Sequence, residues 1–152
     1  MDNKKVGLSD TTKAKTEPKT FRRNPIIGTK FTIAISSAKG GVGKSTFATN
    51  LALALKKVGC KVGILDADIY GPSLPKLTGI NNKPKSNGKK IIPHIAFGLQ
   101  VMSIGYLVPE DAATIWRGPM VMSAIEQLLK DVNWAHLDFL IIDMPPGTGD
   151  AQ

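Results

Sequence analysis

The chain has 152 residues, 42% of them hydrophobic and 21% charged, which gives room for one core and not for two. No stretch approaches the roughly 20 uninterrupted apolar residues that cross a bilayer, and the single Cys60 excludes a disulfide scaffold or a multi-cysteine metal site and fits a reducing compartment. Twenty basic against twelve acidic residues give a net charge of +8, which taken alone points to nucleic acid or an anionic surface.

The charge is unevenly placed. Residues 1–30 hold eight basic and three acidic side chains, and Lys83, Lys85, Lys89 and Lys90 add four more positive charges around Pro84, Asn87 and Gly88. The remainder of the chain carries −1. Residues 1–24, rich in Lys, Thr and Asn and poor in large apolar residues, cannot bury enough surface to offset chain entropy and read as a flexible basic tail. Residues 25–152 read as the folded portion. Neither a secretory signal nor an Arg- and Ser-rich presequence is legible in the tail, so a cytoplasmic setting is expected.

In chain order, the alternating β-branched run FTIAIS (31–36) predicts a strand, and TFATNLALALKKVG (46–59) predicts a helix ending at Gly59. KVGILDAD (61–68) reads as a buried strand with carboxylates at its C-terminal end. The lysine-rich segment reads as a loop, and residues 90–105 as a hairpin turning near Phe97–Gly98. Gly118–Pro119 opens an amphipathic helix over 119–130, with Val121, Ile125, Leu128 and Leu129 on one face. FLIID (139–143) is an apolar strand ending in Asp143. Strands alternating with helices predict an α/β fold, a mainly parallel sheet with helices on both faces.

Between the first strand and first helix lies Ala38-Lys39-Gly40-Gly41-Val42-Gly43-Lys44-Ser45-Thr46. Backbone N–H groups there can wrap a phosphate, the positive end of the helix faces the same anion, and the strand-loop-helix context is the one a P-loop requires. Lys44 would reach the β- and γ-phosphates and the Ser45 hydroxyl would ligate Mg²⁺. Asp143, at the C-terminal edge of a parallel sheet, can hold the same Mg²⁺, and the Pro-Pro-Gly-Thr-Gly loop after it suits a γ-phosphate sensor. Asp66 and Asp68 end another strand, where a carboxylate could orient water for hydrolysis; the alternative is that one or both cap the short helix starting near Ser73. His94 and His136 fit no metal-ligand spacing, and Cys60 reads as core packing.

KGGVGKST, with its second lysine Lys39, resembles the deviant phosphate loop of MinD/ParA/nitrogenase-iron-protein ATPases. With LDADIYGPS, the WRGPM stretch (116–120) and IDMPPGTGD, the chain resembles the Mrp family of ApbC/Nbp-type iron–sulfur carrier ATPases from about Arg23 to Gln152. Residues 121–138 are similar to the subgroup containing the mitochondrial complex I assembly factor. The resemblance implies a P-loop NTPase that binds and hydrolyses ATP with Mg²⁺, forms a homodimer through its nucleotide face, and passes 4Fe–4S clusters to apo iron–sulfur proteins, with neither a specific nucleic-acid partner nor a membrane span. It implies that Lys39 reaches the partner's nucleotide, that Asp66 and Asp68 lie in a first switch, and that Asp143, Thr148, Gly149 and Asp150 lie in a second. Arg117 matches a motif position without a defined chemical role. Ala38 replaces the family's usual glycine, and nucleotide binding is expected to survive it. The family's Cys-x-x-Cys and adenine-recognising residues are absent, so the fold is expected to be incomplete at its C-terminal side. The rival readings are a ParA/MinD-like positioning ATPase and a truncated product without hydrolytic activity.

Overall fold

The β-branched run after Gly28 forms the first strand, β1 (Thr29–Ile35), and the glycine-rich turn leads directly into α1 (Lys44–Lys57). In this computed structural model residues 26–108 and 115–147 are described; residues 1–25 and the motif residues Thr148, Gly149 and Asp150 lie outside them. Alanines and leucines favour the helix intrinsically, and Lys56 and Lys57 in its last turn complement its negative end.

After Gly59 the chain enters β2 (Val62–Asp66), buried throughout, then the short α2 (Leu74–Thr78). β3 (His94–Ala96) and β4 (Leu99–Ser103) form the expected antiparallel hairpin. Phe97 and Gly98 both have positive φ, at 53° and 73°, the backbone that matches a two-residue turn to strand twist. A 3₁₀ turn (Ile104–Tyr106) follows. α3 (Gly118–Asp131) carries Pro119 in its first turn and buries Val121, Ile125 and Leu128, while Leu129 is only partly covered. β5 (Leu137–Asp143) completes the sheet.

Strand order is β1-β5-β2-β4-β3, with every pairing parallel except the hairpin. The last strand in sequence therefore lies between the first two. Its register sets Asp143 opposite Ile35 on one side and Asp66 on the other, and Asp66 in turn faces Ser103 of β4. Backbone bonds fasten these ends together: Met144 N–H to the Ile35 carbonyl at 3.0 Å, Gly147 N–H to that of Ser37 at 2.9 Å, and Ala67 N–H to that of Asp143 at 2.9 Å. The core is built on Ile64, Leu65, Leu140 and Ile141, and α1 packs over β2 and β5 through Ala48 and Ala52. Among the described residues β1 pairs with β5 alone. Its Phe31, 61% exposed, stacks on Phe139 with ring centroids 5.5 Å apart.

Gly28 is fixed by close approach. At φ 91° a Cβ would fall 1.8 Å from the Trp134 carbonyl oxygen, whereas at Gly43, φ 89°, nothing lies within 4 Å of that position. Gly28→Ala therefore combines backbone strain with an unavoidable clash and should cost about 3 kcal/mol or more, against about 1–2 kcal/mol for Gly43→Ala, which carries strain alone. Urea midpoints of the two variants measure the difference, and equal losses would refute the packing account.

Candidate functional site

The turn from β1 to α1 is shaped before any ligand arrives. The Ser37 hydroxyl donates to the Lys39 carbonyl at 2.9 Å, and Gly43 enters the helix in a left-handed conformation that a side chain would strain. The turn forms one wall of a cleft of about 460 Å³, to which Gly40, Gly41, Gly43, Lys44, Ser45 and Thr46 contribute. Asp68, Gly71 and Pro146 also line it, the last from the loop after β5.

Lys44 Nζ donates to Asp143 Oδ1 in an ion pair whose side chains are 7% and 2% exposed. Two charges so far from water cost several kcal/mol each in desolvation, and this contact is what compensates them. The Ser45 hydroxyl and the Asp143 carboxylate are oxygen donors of the kind a hard cation such as Mg²⁺ takes.

The sequence-predicted residues divide clearly. Gly40, Gly41, Gly43, Lys44, Ser45, Thr46 and Asp68 line the cleft, and Asp143 reaches it through Lys44. Lys39 and Val42 are exposed and do not line it. Asp66 is fully buried, its oxygens accepting from the Asp68, Ser73 and Leu74 N–H groups and from the Ser103 hydroxyl. Of the two roles open for it in the sequence, helix capping is the one its contacts perform. Asp68 Oδ1 accepts from Tyr70 N–H at 3.1 Å. Gly71 and Pro146 lie in the LDADIYGPS and Pro-Pro-Gly-Thr-Gly stretches read from the sequence, whereas Ser103, which donates to Asp66, is the residue that sequence reasoning did not single out. Ser103 is reached only through the β2–β4 register, which no local pattern encodes. Cys60 is half-buried against the core, and no cluster of three metal-ligating side chains exists among the described residues.

A depression of about 520 Å³ lies at the opposite end of the sheet, beside the N-terminal ends of β1, β2 and β5, where Lys30, Lys61, His136 and Asp138 gather. Its charges already answer one another: Lys30 meets Asp138 at 2.7 Å, and the Lys61 backbone N–H donates to the same carboxylate at 2.8 Å. Among the described residues no glycine-rich loop or helix N-terminus lines it, so the cleft at the Lys44 end is the better ligand site.

Three kinds of comparison bear on this site. The profile described as ParA, NUBPL iron-transfer P-loop NTPase, matches residues 28–152. An iron–sulfur cluster carrier protein of Helicobacter pylori is 52% identical over 89% of this chain and 38% of its own length. The chain belongs to this family. The iron–sulfur cluster carrier protein of Escherichia coli K12 is 57% identical over 84% of the chain and 35% of its own length, and the mouse iron–sulfur cluster transfer protein NUBPL 50% identical over 86% and 42%. The chain thus spans well under half the length of these curated relatives. A solved Archaeoglobus fulgidus nucleotide-binding protein in complex with ADP is 43% identical, with TM-score 0.69 over 81% of this chain and 47% of its own. The septum site-determining protein MinD of Pyrococcus horikoshii, 22% identical with TM-score 0.54, shares the fold. Family membership and structural likeness together establish the P-loop NTPase fold, and no helix among the described residues is long and apolar enough to cross a membrane.

Burial pushes the Asp66 carboxyl up to about 6 from 3.8; the Asp143 charge adds to this, and the N–H groups of Leu74, Asp68 and Ser73 oppose it. Because the folded value lies above the unfolded one, the native state holds the extra proton between about pH 4 and 6. The penalty of the buried charge is complete above pH 6 and is relieved as pH falls through that window, by about 3 kcal/mol at 1.36 kcal/mol per unit. In magnesium-free buffer, wild-type stability should rise relative to Asp66→Asn between pH 6.5 and 4.5. A pH-independent difference in urea midpoints would contradict this.

Proposed function

We propose that the cleft binds Mg²⁺–ATP and that a protein of the relatives' full length uses ATP hydrolysis to carry iron–sulfur clusters to apo-proteins. The reading is carried by one observation: Lys44 and Asp143, 99 positions apart, meet at the head of a glycine-rich loop in a chain of this family. Residues 25–152 form the nucleotide-binding portion and 1–24 a basic tail.

On binding, the loop from Gly40 to Thr46 receives the phosphates through its backbone, and Lys44 exchanges Asp143 for the β- and γ-phosphate oxygens. Asp143 and Ser45 would hold Mg²⁺, which would supply charge neutralisation on the phosphoryl oxygens. Asp68, which lines the same cleft, orients the attacking water. Exposed Lys39 reaches the nucleotide of a second copy, so that a cation arriving from the partner makes hydrolysis depend on homodimerisation. The 4Fe–4S cargo is held by a Cys-x-x-Cys that this sequence does not contain, and the reducing cytoplasm suits such cargo.

Calorimetric titration with ATP in the presence and absence of Mg²⁺ tests the reading, on this chain and on a version extended to family length. Saturable, Mg²⁺-dependent binding is expected, weakened roughly 100-fold or more by Lys44→Ala through loss of charge-assisted phosphate contacts. No binding by either form, or a Lys44→Ala variant that binds like wild type, would overturn it.

A further inference from the structure

The cap of α2 is supplied from an unexpected place. Ser73 occupies the N-cap position and is a residue type suited to it, yet its hydroxyl makes no cap bond and is buried with no hydrogen-bond partner. The N–H groups of Ser73 and Leu74 are instead met by Asp66 Oδ2 at 2.8 and 3.0 Å, from seven and eight residues upstream. A serine cap would leave no charge in the core, whereas Asp66 is a wholly buried carboxylate. Helix capping alone therefore does not account for an acid at this position.

The remaining contacts do. Asp66 Oδ1 accepts from Asp68 N–H at 3.2 Å, and Oδ2 also accepts from the Ser103 hydroxyl at 3.2 Å. Ser103 Oγ accepts in turn from Gly105 N–H at 3.1 Å, where a Cβ at Gly105 would meet Pro72 and Pro75 within 3.2 Å. One side chain thereby fastens both ends of the segment that carries Asp68, Tyr70 and Gly71 and braces that segment against β4. Asp68 and Gly71 line the cleft, and Asp66 does not.

We propose that Asp66 is a positioning residue: it holds the 67–74 segment as a rigid span so that the Asp68 carboxylate stays in the cleft, and it never touches the ligand itself. The catalytic consequence rests on the ATP reading above, while the structural part does not.

The first arm of the test is amide hydrogen exchange on the ligand-free chain. Asp66→Ala should raise exchange at Asp68, Ser73 and Leu74 by about 10-fold or more relative to Leu140 and Ile141, and Asp66→Asn, which keeps one accepting oxygen, should recover part of the protection. If Asp66→Ala fails to fold, Asp66→Asn and Ser103→Ala report the same span. The second arm measures turnover in a version of family length. Asp66→Asn should lower kcat about 10-fold with KM within about 3-fold, and adding it to Asp68→Asn should lower kcat no further, because one residue acts through the other. Unchanged exchange at those three amides, or additive losses in kcat, would overturn the proposal. If the unaltered protein neither binds nor hydrolyses ATP, the ATP reading fails and the exchange arm alone decides the role of Asp66.

Discussion

The buried pair between Lys44 and Asp143 is the constraint on which the rest of the site depends. Neither charge is tolerable alone at that depth, so whatever brings one there must bring the other. The sheet does this by inserting β5 between β1 and β2, which puts Asp143 level with the strand that launches the loop. The pair also stores a choice. On the proposed reading, a lysine paired with a carboxylate gains a second stable arrangement when phosphate oxygens arrive, and the carboxylate it leaves behind needs a cation. A site with two such arrangements can switch between them, where a loop with a solvated lysine would simply bind.

The same architecture explains why two aspartates two residues apart do different work. Side chains two residues apart in a strand share a face, so the pair separates because β2 ends at Asp66: the chain turns there, with Asp68 N–H donating back to Asp66 Oδ1, and Asp66 stays buried while Asp68 lines the cleft. Asp66 survives burial because four donors converge on it, drawn from its own turn, from α2 and from β4. The cleft and the short helix beside it therefore share one anchoring point.

Much of this was legible in the sequence. The strands and helices lie within a few residues of where periodicity put them, because apolar alternation at 31–36 and the Ala–Leu run after Thr46 are local signals. Lys44 and Ser45 were legible as a pair because loop chemistry dictates residue types at fixed offsets. Strand order was not. That Asp143 faces Ile35 and Asp66 together follows from which strand fills the gap, and no local pattern records it. Ser103 was invisible for the same reason. Asp66 and Asp68 could each be read two ways, since a carboxylate at a strand end serves water or a helix until the path of residues 67–73 is known. The charge was misleading at first sight: the +8 lies mainly in residues 1–30 and the 83–90 loop, and the cation that matters most for the site is a single buried lysine.

The most direct test of the account is an NMR titration of the chain with Mg²⁺–ATP, following the Lys44 ammonium together with the Gly41, Gly43 and Ser45 amides. The account predicts saturable shifts of these resonances at one site per chain, with the Lys44 ammonium leaving the environment of Asp143 and the resonances of Lys30 and Asp138 unmoved. Shifts confined to the lysine-rich loop at 83–90, or a Lys44 ammonium unchanged at saturation, would contradict it.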